Sequence, residues 1–151
     1  MSTNYRFIEA APHDVFEVLG DGWLFPSWVV GASRIRDVDV TWPAVGAKIH
    51  HSFGVWPAVI DDSTSMLEWE HGVHAKFLAR GWPVGEAEVA IDVQNRPGGC
   101  YVRMREHAVS GPGRFVPALV MDPVLSIRNR EALQRLAWLA EGRLRDLVEP
   151  S

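Results

Sequence analysis

Two ionisable side chains fall where an alternating strand should bury them, and any chemistry in this sequence starts from them. In residues 100–107, Arg103 and Arg105 share one parity, which leaves Val102, Met104 and Glu106 on the other. In residues 47–55, Lys48, His50 and Ser52 take the outward parity, and Ile49, His51 and Phe53 the inward one. A buried charge is costly unless paired, so Glu106 and His51 each require a partner or water. A carboxyl group and an imidazole facing one space can act as general acid and base, which makes His51 and Glu106 the candidate catalytic pair.

The last third of the chain offers them partners. Leu133, Leu136, Ala137, Ala140, Leu144 and Leu147 recur at three and four, one apolar stripe on a helix. Extended backwards, the stripe reaches Asn129 and Arg130, polar residues where apolar ones would continue the core. Arg128, Glu131, Arg135, Arg145 and Asp146 fall largely off it. Glu106 within reach of Arg130 or Asn129 is thus expected to form the polar end of a cavity. Two other readings stand beside this one. Glu106 and Arg130 could be an ion pair tying helix to sheet, or a one-residue bulge could turn either inward assignment to solvent.

The other strands supply apolar walls. In residues 84–93, Glu86, Glu88 and Asp92 face outward, and Ala87, Val89, Ile91 and Val93 inward. In 73–80, Ala75, Phe77 and Ala79 are inward, against His74, Lys76 and Arg80. In 66–70, Leu67 and Trp69 are inward, against Glu68 and Glu70. A ligand site combines such walls with a few converging polar groups. The candidate ligand-binding set is Trp28, Ile49, Phe53, Trp69, Phe77, Ala79, Val89, Ile91, Met104, Leu125, Asn129, Arg130 and Leu133.

Other chemistry is thinly supported. Gly111-Pro112-Gly113 lacks phosphate-loop spacing, no Gly-x-Ser-x-Gly elbow exists, and Cys100 has no designated base. Asp61-Asp62 lies in a turn pattern, where both carboxylates are hydrated. His13 belongs to the opening turn of a first helix and is expected to be solvated. His71, His74 and His107 sit at strand ends or on outward registers. No metal site and no cofactor is expected.

The elements that must position these residues run in a simple order. Residues 5–10 read as a strand, residues 12–19 as a helix opened by Pro12, and residues 23–28 as a second short helical piece. Six alternating segments fit between Ser33 and His107, punctuated by turn signals such as Trp42-Pro43, Trp82-Pro83 and Pro97-Gly98-Gly99. None is separated by a helical pattern, so a parallel α/β sheet is disfavoured. Asp122-Pro123 supplies a cap and first-turn proline for the final helix, about 27 residues and about 40 Å long.

Composition narrows the function classes. The 151 residues carry 47% hydrophobic and 23% charged side chains, ordinary for one globular domain, here residues 1–151. A net charge of −4 with interspersed signs and no basic run argues against nucleic acid. One cysteine excludes an intrachain disulfide and a cysteine-rich zinc site. No apolar stretch approaches the roughly 20 residues of a membrane span, and the N-terminus lacks a signal-peptide profile. The expected location is the cytoplasm, with a homodimer left open. Seven tryptophans, Trp23, Trp28, Trp42, Trp56, Trp69, Trp82 and Trp138, are spread end to end, as core and rim packing or as pocket lining.

Several short motifs resemble one known family. Ala10-Ala11-Pro12-His13-Asp14-Val15-Phe16 resembles the "ap.e.Vf" entry to the first helix of the polyketide cyclase/dehydrase and START-like superfamily, SRPBCC. Phe25-Pro26-Ser27-Trp28 resembles the "p.W" of its second helix, Pro43-Ala44-Val45-Gly46 its "p.vG", and residues 128–136 its closing-helix pattern. The resemblance implies an α+β helix-grip fold: a curved seven-stranded antiparallel sheet around a long C-terminal helix, with two short helices after the first strand. It implies a cavity between sheet and helix, and leaves the reaction open because function does not follow from fold.

Three functions compete on these grounds. The favoured one is a module that binds a small hydrophobic molecule, a lipid or polyketide-like aromatic. The second is a cyclase or dehydratase using His51 and Glu106. The third is an adaptor whose tryptophan-rich rim engages a protein. An apolar lining favours binding, whereas His51 and Glu106 in one space favour catalysis.

Overall fold

The computed structural model of the chain describes residues 2–30, 32–53, 57, 60–81 and 85–148. The alternating part of the sequence forms six consecutive strands, β2 (Ala32–Val38), β3 (Lys48–Phe53), β4 (Ile60–Glu70), β5 (His74–Gly81), β6 (Gly85–Arg96) and β7 (Gly99–Ser110). Each pairs antiparallel with the next, and β1 (Ser2–Ile8) adds to the outer edge of β7. The curved sheet therefore has seven strands in the order β1-β7-β6-β5-β4-β3-β2. Because β1 and β2 lie at opposite edges, the segment joining them must cross the sheet. It does so as α1 (Pro12–Leu19), a 3-10 turn (Gly22–Leu24) and α2 (Phe25–Trp28).

Local chemistry explains those crossing pieces. Pro12 fixes the φ of the first helical residue, and the Asp14 carboxylate accepts from the Ala11 amide at 3.3 Å. Asp21 caps the 3-10 turn by accepting from the Trp23 amide at 3.1 Å. Val15, Phe16, Val18, Leu19, Phe25 and Trp28 are buried, and the Trp42 indole donates to the Leu19 carbonyl at 3.2 Å.

The long helix α3 (Ala118–Val148) begins earlier than Asp122-Pro123 suggested. The Pro117 carbonyl accepts from the amides of Val120 and Met121, starting a turn that encloses Pro123. The donor missing at Pro123 would have served the carbonyl of Leu119, a residue 89% exposed, where water reaches it. Further along, Ala132, Leu133, Leu136, Ala137 and Ala140 are buried, and α3 packs on β1, β7, α1 and α2. The side chains of Leu144 and Leu147 lie outside the described residues. No helix among the described residues is long and apolar enough to cross a membrane.

Strand faces follow the alternation except near register shifts, which fall on β2, on β4 and at Glu86/Ala87 on β6. On β7, Cys100, Val102, Met104 and Glu106 are buried, while Arg103 and Arg105 each reach Asp92 at 3.1 Å on the outer face. On β4 the register shifts between Met66 and Glu68. Met66, opposite Phe77, is 1% exposed, and Leu67 takes up the extra residue, so Met66 fills the inward place assigned to Leu67. Beyond the bulge, Trp69 stands opposite buried Ala75, as its parity required. Of the tryptophans, Trp28 and Trp42 are buried, Trp69 is half-buried, and Trp23 and Trp138 are exposed. Trp56 and Trp82 lie outside the described residues.

Candidate functional site

Between the inner face of β5–β7, α2 and the first half of α3 lies a cavity of about 290 Å³, near the lower end of small-molecule sites. Its helix wall is Met121, Leu125, Arg128, Asn129 and Ala132, one face at helical spacing. The sheet contributes Phe77 and Ala79 from β5, Val89 from β6, and Met104, Glu106 and Ala108 from β7. Phe25, Trp28, Val29 and Val30 close the α2 side. At the β6 end Gly85 has φ +109°, and a Cβ there would meet the Ser110 carbonyl oxygen at 2.2 Å. Only glycine allows the two strands to approach so closely at that rim.

Six polar or charged residues, Thr64, Arg80, Glu86, Glu106, Arg128 and Asn129, stand in the otherwise apolar lining, Arg80 and Glu86 among them although their parity placed them outward. Glu106, 3% exposed, takes both its carboxylate oxygens to the Arg128 guanidinium. That corrects the expected partner: Arg130 is exposed and lines a neighbouring surface depression with Val124, Ile127 and Gln134, which Val30 and Arg128 also border. Helical geometry gives the reason. Counting back three from Leu133 leads to Arg130, whereas counting back four from buried Ala132 leads to Arg128, on the cavity side of Asn129. Asn129 is 3% exposed, and its Nδ2 has no hydrogen-bond partner among the described residues. A buried amide donor facing a cavity is costly until something accepts from it.

His51 occupies a different place. Its side chain is fully buried behind the cavity wall, with Nε2 at 2.8 Å from Thr64 Oγ1 and its ring stacked on Phe25 at 5.4 Å. Thr64 and Phe25 line the cavity; His51 does not. Burial pushes the imidazole down to about 4, outweighing the pull of Asp62, so the ring is held neutral. Glu106 and His51 therefore do not share one space.

The expected lining divides accordingly. Trp28, Phe77, Ala79, Val89, Met104, Leu125 and Asn129 line the cavity with Glu106. Ile49, Ile91 and Leu133 have the expected inward register but are packed into the core beside it. Trp69 packs edge-on against Phe16 at 5.2 Å, where it borders a second groove near α1. The Phe53 side chain lies outside the described residues. Arg128, Met121 and Val30 were not singled out from the sequence. The first two could have been found by tracing the helix face through Ala132.

A sheet curved about one long helix, with a mainly apolar cavity between them, is a helix-grip fold. Solved structures bear this out. The di-domain ARO/CYC StfQ from the steffimycin biosynthetic pathway is similar at TM-score 0.72 and 14% identity, over 94% of this chain and 50% of StfQ. A protein of unknown function from Staphylococcus aureus is similar at TM-score 0.70 and 13% identity, over 95% and 94% of the two chains. Ara h 8.0201 is similar at TM-score 0.65 and 9% identity, over 92% and 96%. No family model matches the sequence, and no curated protein matches it.

Proposed function

We propose that the protein binds a small, largely apolar molecule carrying a hydrogen-bond acceptor, held in the cavity between the sheet and α3. The observation that carries this reading is Asn129: a buried amide donor without an acceptor among the described residues, set in an otherwise mainly apolar lining. The ligand's acceptor satisfies Nδ2, while Trp28, Phe77, Val89, Met104 and Leu125 cover its apolar body. Glu106 and Arg128 neutralise one another, which suits an uncharged or weakly polar head better than a free anion. A lipid fragment or a polyketide-like aromatic has this chemistry.

A second reading is kept because Glu106 borders the cavity and StfQ is described as an ARO/CYC protein. In it, Glu106 moves a proton on a folded polyketone once substrate draws Arg128 away. His51 has no part in that reading, since Thr64 and Phe25 stand between it and the cavity.

Titration with an apolar fluorescent probe tests the binding reading. Saturable binding at one probe per chain is expected, and Ala79→Trp, which fills space at the β5 wall, should weaken it about tenfold or more. The variant's cooperative thermal transition checks that it is folded. Equal probe affinity in folded Ala79→Trp would contradict this placement of the ligand.

A further inference from the structure

We infer that His13, Glu17 and His71 form a binding site for one divalent transition-metal ion, independent of the cavity. Helix α1 places His13 and Glu17 four residues apart, one turn above the other. The β4–β5 turn brings His71 over them, although it is 58 residues from His13. His13 Nδ1 and His71 Nε2 are 3.0 Å apart, His13 Nε2 and Glu17 Oε1 3.6 Å, and His71 Nε2 and Glu17 Oε1 4.0 Å. His13 can give one ion only one of its two ring nitrogens, so a side chain must turn before three donors meet. One donor atom from each of the three residues lies within 4.8 Å of the other two. That compares with about 3.3 Å between two ligands held about 2.0–2.1 Å from a tetrahedral zinc ion.

The surroundings favour a site over a chance encounter of side chains. The His71 ring rests edge-on against buried Phe16 at 5.7 Å and tilted on Trp69 at 6.0 Å, which limits its orientations. The His13, Glu17 and His71 side chains remain 61%, 40% and 43% exposed, so an ion has an entry path and room for water ligands. Glu17 and His71 also border the groove formed with Trp23, Trp42 and Arg143. Two imidazoles and one carboxylate suit zinc, nickel or copper rather than calcium or magnesium, which take oxygen donors. Without metal the two rings share a hydrogen bond, and the ion takes the place of its proton. No local spacing announces the site, because it exists only where a helix meets a distant turn.

Isothermal titration of tag-free protein with Zn²⁺ tests the assignment. One ion per chain is expected, with a rise in Tm on saturation. Loss of even an outer-shell partner typically weakens a metal site 10–100-fold, so His13→Ala, Glu17→Gln and His71→Ala should each weaken binding at least about tenfold. His13 and Glu17 are exposed enough that their variants test the site even if His71→Ala disturbs packing against Phe16. His107→Ala, on β7 beside Glu88, should bind as the parent does. No saturable zinc binding, or binding unchanged in His13→Ala and Glu17→Gln, would reduce the cluster to a hydrogen-bonded histidine pair.

Discussion

Arg128→Met should lower folding stability by about 2–4 kcal/mol, somewhat less than the cost of breaking a fully buried pair because the guanidinium is half exposed. The asymmetry of the pair sets the size of the effect. Water reaches Arg128, whose side chain is 41% exposed, but hardly reaches Glu106, at 3%. Removing the arginine strands a carboxylate inside an apolar lining, with nothing to replace both of its hydrogen bonds. Glu106→Gln keeps the shape and removes the charge, and should cost less than Arg128→Met. The double variant Glu106→Leu/Arg128→Met removes both charges and should recover most of the loss, giving a large coupling in a double-mutant cycle. Chemical denaturation of the four proteins reads this directly. Single variants within about 0.5 kcal/mol of the parent would mean that the pair is solvated and does not brace α3 against β7.

Leu136→Ala should cost about 2–5 kcal/mol, through lost burial and the cavity left behind. Leu136 is fully buried in the core and does not border the cavity. Its neighbours Leu133, Ala137 and Ala140 are equally enclosed, so the site cannot easily collapse around a missing side chain. The two substitutions Leu136→Ala and Ala79→Trp should therefore separate. The first lowers Tm and leaves probe affinity of the folded protein nearly unchanged, and the second does the reverse. A Leu136→Ala protein as stable as the parent would contradict the packing of α3 on β1 and the short helices.

Where the sequence was legible, a two-residue or three-and-four-residue period met a buried face. Arg103 and Arg105 announced that Glu106 points inward, and the leucine–alanine stripe announced α3. The failures have equally local causes. Parity carries no sign of a bulge, so the extra residue at Leu67 passed for an inward position while Met66 fills it. On a helix, Arg128 and Arg130 flank Asn129 at equal angles, and the choice between them depends on which side the cavity lies. Inward register also does not distinguish core from cavity lining. Ile49, Ile91 and His51 point the same way as Met104 and Val89, but only the latter two border open space. Curvature of the sheet decides that, and curvature is not written in the alternation.

Methyl NMR on the methionines tests the central claim most directly, because the chain has only four of them. Met104 from β7 and Met121 from α3 border the cavity, whereas Met66 is buried in the core and does not. Titration with the apolar probe should shift the Met104 and Met121 methyl signals together, saturating at one equivalent, and leave Met66 nearly still. Binding without movement of the Met104 and Met121 signals would show that the molecule sits elsewhere, and would contradict a ligand site between the sheet and α3.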